Sequence, residues 1–75
     1  MKTNTVLRLY DALLCGEKVS RATFCTQHNI CERTFYRYIK DIGEFLMRYK
    51  SNYVIAVDIE VDLEFRDCRY YFVEV

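Results

Sequence analysis

Proline is absent from the 75 residues, and glycine occurs only at Gly16 and Gly43. Few tight turns and no flexible linker are therefore expected. No apolar run approaches the roughly 18 residues that a membrane span needs. Nothing behind Met1-Lys2-Thr3-Asn4-Thr5 reads as the apolar stretch of a signal peptide. A soluble cytoplasmic chain without a membrane partner is expected. The four cysteines, at 15, 25, 31 and 68, contain no Cys-x-x-Cys pair. Without a secretory context they read as reduced thiols, most of them small core fillers. There is no phosphate-binding loop, no nucleophile elbow and no acid/base pair, and a chain this short has little room for a pocket. An enzyme is not expected, nor a cofactor. No internal repeat or low-complexity segment occurs.

Net charge is also absent, because 11 cations balance 11 acids, but the two halves differ. Residues 1–50 hold nine Lys/Arg and five Asp/Glu, giving +4, and residues 51–75 hold two and six, giving −4. A phosphate-binding surface therefore belongs to the first part of the chain.

What is abundant is apolar and aromatic: 52% hydrophobic residues, with seven Tyr and five Phe. The clearest pattern lies in residues 32–49. At about 100° per residue, Phe35, Tyr38, Ile39, Ile42, Phe45, Leu46 and Tyr49 share one arc about 120° wide. Arg33, Arg37, Lys40, Glu44 and Arg48 fall opposite. This is an amphipathic helix with a largely cationic solvent face. Upstream, residues 5–15 form a first helix with Val6, Leu9, Tyr10, Leu13 and Leu14 inward. Thr3, Asn4 or Thr5 would cap its start, and Gly16 would stop it. Val19 is placed to pair briefly in an extended conformation. Ser20 would cap a short second helix over 21–28, with Ala22, Phe24 and Cys25 inward. Asn29 supplies the turn, Ile30 plugs it into the core, and Cys31 takes the N-cap position of the long helix.

From Tyr53 the period becomes two. Tyr53, Ile55, Val57, Ile59, Val61, Leu63 and Phe65 form one face, and Asp58, Glu60, Asp62 and Glu64 share the other. The polar residues 66–69 are the expected turn. Residues 70–75 then return, with Tyr71, Val73 and Val75 beside Phe65, Leu63 and Val61. The acidic strand is expected to face solvent or a basic partner.

The expected fold class is α+β, one domain over residues 1–75. Three helices (1–50) precede a β-hairpin (51–75), the plan of a winged helix-turn-helix. The run Val19-Ser20, Phe24-Cys25 and Asn29-Ile30-Cys31-Glu32-Arg33-Thr34-Phe35-Tyr36-Arg37-Tyr38-Ile39 resembles the N-terminal DNA-binding domain of DeoR-type and WYL-type bacterial regulators. Arg33, Thr34, Arg37 and Ile39 match that pattern directly; Phe24, Ile30 and Phe35 match in character, and Asn29 stands for the turn glycine. Cys31 replaces a capping serine, Tyr38 an aspartate and His28 an apolar residue, and the wing glycines near Cys68 are missing. The resemblance covers about residues 5–50.

It implies sequence-specific binding of double-stranded DNA in bacterial transcription control, at the nucleoid, with the third helix in the major groove. The residues off the core arc there are Arg33, Thr34, Tyr36, Arg37 and Lys40. Arg21 and Thr23, at the start of the second helix, would clamp phosphate with the help of free N–H groups. So small a module is expected to act as a homodimer or tethered to a sensor domain, either as an excised domain or as a free-standing small protein. A second class of function is a protein-interaction module without DNA binding, using the acidic strand and exposed tyrosines. A third is a zinc- or redox-responsive repressor built on Cys25, His28 and Cys31. No metal site is otherwise expected, and His28 reads as a buried or half-buried structural residue.

Overall fold

A computed structural model describes residues 2–61 and 66–75, with side chains from Thr5 onward. The described chain is α+β, with three helices and a three-stranded antiparallel sheet. Helix α1 is Lys2–Leu14, strand β1 is Val19–Ser20, helix α2 is Arg21–His28 and helix α3 is Glu32–Tyr49. Strands β2 (Tyr53–Val61) and β3 (Arg66–Glu74) follow. No helix among the described residues is long and apolar enough to cross a membrane.

The helix ends follow from local chemistry. At the end of α1 the N–H of Glu17 reaches the Ala12 carbonyl (3.2 Å) and that of Gly16 reaches Leu13 (3.1 Å). This crossed pair of bonds requires a left-handed residue, and Gly16 has φ +88°. Asn29 does the same after α2 at φ 53°, ψ 50°. Ser20 caps α2 by accepting from the Thr23 N–H at 3.2 Å. The expected start of α1 was wrong: the helix begins at Lys2, so Thr3, Asn4 and Thr5 lie within it rather than before it.

The core is Leu9 and Leu13 of α1, Val19, Phe24, Phe35, Tyr38, Ile42 and Leu46 of α3, and Tyr70 of β3. Phe35 sits at its centre, with ring centroids 5.7 Å from Phe24 and 5.3 Å from Tyr70. Three residues of the expected inward helix faces are exposed instead: Leu14, Phe45 (41%) and Tyr49 (71%). Periodicity marks a side of a helix, but burial also needs something to cover it. At the end of α3 the cover is thin. The ring of Tyr10 meets Phe45 edge-on at 5.6 Å, and Phe45 and Tyr49 lie against one another at 5.1 Å.

The sheet order is β1-β3-β2. Val19 pairs with Tyr70 and Ser20 with Arg69. Strands β2 and β3 pair from Tyr53↔Glu74 to Val61↔Arg66 in one unbroken register. The expected turn at 66–69 is therefore corrected: these residues are strand. The charge of Arg69 is met sideways, with Asp58 opposite and Glu60 3.6 Å from its Nε. Because side chains alternate, the corrected register also changes the inward face of the last strand. Tyr70 and Phe72 join the core with Cys68, whereas Tyr71 and Val73 lie on the opposite face. The expected positions of Asp62, Leu63, Glu64 and Phe65 lie outside the described residues.

Candidate nucleic-acid interface

Helix α3 begins at an N-cap, Cys31, whose side chain makes no capping bond to the backbone. Its thiol instead meets the Thr34 hydroxyl at 3.4 Å. That contact lowers the Cys31 pKa below the ordinary thiol value. Arg33, Arg37 and Lys40 follow at spacings of four and three, so they fall within about 60° of arc. All three are exposed, opposite the buried Phe35, Tyr38, Ile42 and Leu46. Thr34 is half-buried beside this row, and Tyr36 is exposed at its edge. Glu44 continues the row one turn later, so the cationic stretch belongs to the first half of the helix.

The start of α2 is arranged differently from expectation. Two of its N–H groups are not free. Thr23 N–H is taken by Ser20 Oγ (3.2 Å) and Ala22 N–H by Asp67 Oδ1 (3.1 Å). Ser20 Oγ in turn donates to Asp67 Oδ2. A carboxylate from β3 thus occupies the place where a phosphate was expected. Burial alone would raise the Asp67 pKa. The Ser20 hydroxyl, the Ala22 and Cys68 N–H groups and the Arg21 charge outweigh that and hold it below the ordinary carboxyl value.

Arg21 is similarly committed inside the molecule. Its Nη1 donates to the Tyr36 hydroxyl at 2.6 Å, its Nη2 to the Arg66 carbonyl at 2.9 Å, and its guanidinium lies 3.6 Å from Glu32. It ties the first turn of α2 to α3 and β3. The same contacts hold the Tyr36 hydroxyl and offset part of the Glu32 charge. Of the residues predicted at the interface, Arg33, Arg37, Lys40 and the exposed Thr23 remain on open surface. Arg21 and Tyr36 are joined to one another. Asp67, expected in a turn, is the functional neighbour that sequence does not reveal, because no local signal connects it to a helix 45 positions away.

Below this region Tyr70 is buried against Phe35, and burial pushes its hydroxyl up to about 12. His28 is half-buried with its ring 4.2 Å from Phe24, a packing position. Cys25, His28 and Cys31 do not form a metal cage: among the described residues no three His, Cys, Asp or Glu side chains converge. All four thiols are free. Cys25 and Cys68 pack against the core, but Cys15 and Cys31 are exposed, contrary to the expectation that most are fillers.

The acidic strand is partly neutralised from within. Asp58 bonds Lys18 at 3.2 Å and accepts from the Tyr71 hydroxyl at 3.2 Å. Glu60 faces Arg69. Among the described tyrosines only Tyr36 and Tyr49 are exposed. Comparison with protein-family models, with curated proteins and with solved structures gives no match for this chain.

Proposed function

We propose that the chain is a winged helix-turn-helix module that binds double-stranded DNA in bacterial transcription regulation. The observation that carries this reading is the row Arg33, Arg37 and Lys40, exposed on the first half of an 18-residue helix whose other face is buried. The Asn29 turn and the Arg21 strut hold that helix against α2, which is the relation that groove docking requires. Arg33 and Arg37 serve as the principal contacts, by forked bonds to guanine or phosphate. Lys40, Thr34 and Thr23 flank them. Arg21 and Tyr36 act as a pair that positions α3 rather than as a free clamp. The resemblance of residues 5–50 to DeoR-type and WYL-type regulators supports the same function, and β2 and β3 take the place of the wing.

The alternative, a protein-interaction module using the acidic strand and exposed tyrosines, has weaker support. Asp58 and Glu60 already have internal cationic partners, and few tyrosines are on the surface.

The test is fluorescence anisotropy on mixed-sequence duplex DNA across a salt series, for the wild type and the Arg33→Ala/Arg37→Ala double variant. Log affinity should fall with log salt by about 0.9 per phosphate neutralised. The slope should shrink by up to about 2 in the variant, without loss of folded structure, because both arginines are exposed. Absence of binding by folded protein at low salt would reject the DNA reading.

A further inference from the structure

Strand β2 lies at the edge of the sheet, and among the described residues no strand pairs with its outer side; the Tyr53 N–H at its start is taken by the Lys50 carbonyl at 3.0 Å. Exposed edges are normally blunted by lysine, proline, a bulge or short length. β2 has no lysine, proline or bulge and is not short; its only charges are the acids Asp58 and Glu60. It is nine residues long, Tyr-Val-Ile-Ala-Val-Asp-Ile-Glu-Val, and its register with β3 is continuous from end to end. Its two acids turn to partners on the inner side: Asp58 to Lys18 and Tyr71, Glu60 to Arg69.

The helix-side face of β2 is divided. Tyr53 and Ile55 pack against the core. Val57, Ile59 and Val61 are 45%, 58% and 72% exposed. Along the covered half runs a largely apolar groove between α3 and β2, lined by Ile39, Met47, Tyr53, Ile55 and Val57 together with the charged Lys40 and Glu44.

We infer that a second copy of this chain pairs with this edge, β2 against β2, antiparallel about a two-fold axis at Val57. Val57 is the midpoint of the strand, so this register pairs all nine residues. It places Ile59 of each copy beside Ile55 of the other and Val61 beside Tyr53. The exposed half of each strand thereby enters the groove of its partner, and the contact is self-complementary, as a two-fold interface must be. Charge selects the same register. Asp58 falls beside Ala56 and Glu60 beside Val54. Moving the axis to Ile59 would set Asp58 directly against Glu60, and moving it to Asp58 would set two aspartates face to face. The product is a continuous six-stranded sheet with the helices of both copies on one face. This interface does not rest on the DNA reading, although Lys40 belongs both to the groove and to the cationic row of α3.

Sedimentation equilibrium without DNA should show a monomer–dimer equilibrium. Val57→Lys, which opposes two cations on the axis, should weaken it at least about tenfold. Ile59→Lys, at a more exposed position, should do the same and serves if Val57→Lys loses its helical circular dichroism. Register is read by cross-linking. Directly opposed positions suit a disulfide, so Val57→Cys should form a covalent dimer under mild oxidation. Ile59→Cys should not, relative to a wild-type control for the native thiols. A protein that stays monomeric throughout, a dimer indifferent to both lysines, or cross-linking through position 59 but not 57 would overturn the inference.

Discussion

Asp67 is where three elements meet. It is 3% exposed, yet it is charged, because it accepts from Ser20 and from the Ala22 and Cys68 N–H groups while Arg21 lies nearby. Removing it leaves the Ala22 and Cys68 N–H groups without this acceptor and strips the second cap from α2. Asp67→Ala should cost about 2–3 kcal/mol in urea unfolding at neutral pH. The pH dependence follows from the direction of the shift. The folded carboxyl titrates below its ordinary 3.8. Its stabilising contribution is therefore complete above that value and lost as pH falls through the lower folded value. Wild-type stability should drop in that acid window more steeply than that of Asp67→Ala. None of this was legible locally. Ser20 announced itself as a cap by residue type and position, but its second partner comes from the other end of the chain.

At the scale of elements, local chemistry was read well where it acts within one turn. The bounds of α2 and α3, the αL turn at Asn29 and the stop at Gly16 all follow from neighbouring residues. Gly16 and Gly43 give a paired prediction of opposite sign. A Cβ at either position meets nothing within 4 Å. The backbone alone therefore decides. Gly16 stands at φ +88°, so Gly16→Ala should destabilise by about 1 kcal/mol. Gly43 lies within α3, where Gly43→Ala should stabilise by about 0.5–1 kcal/mol. Thermal and urea denaturation read both. The last strand shows the opposite case. Arg66, Asp67 and Arg69 look like a turn because polar clusters usually are, but Asp67 is occupied against α2 and Arg69 across the sheet. A charge that has a partner is compatible with a strand, and the partner is invisible to a window of a few residues.

At the scale of the whole molecule, a 75-residue chain is marginal, with about 4–11 kcal/mol to lose. The value of each aromatic depends on what covers it. Phe35 is fully buried among Phe24 and Tyr70, and Phe35→Ala should cost about 3–5 kcal/mol, a large part of that total. Phe45 belongs to the same apolar arc of α3 but is 41% exposed, and Phe45→Ala should cost about 1–2 kcal/mol. Urea titrations of the two variants separate them. The sequence by itself determined the elements, the split of charge between the two parts of the chain and the cationic face of α3, because those depend on residue type and on periods of 3.6 and 2. Tertiary structure alone decided which aromatics are buried, the register of β3, the strut from Arg21 to Tyr36 and the filling of the α2 N-terminus by Asp67. These depend on side chains up to 47 positions apart that meet only once the chain has folded.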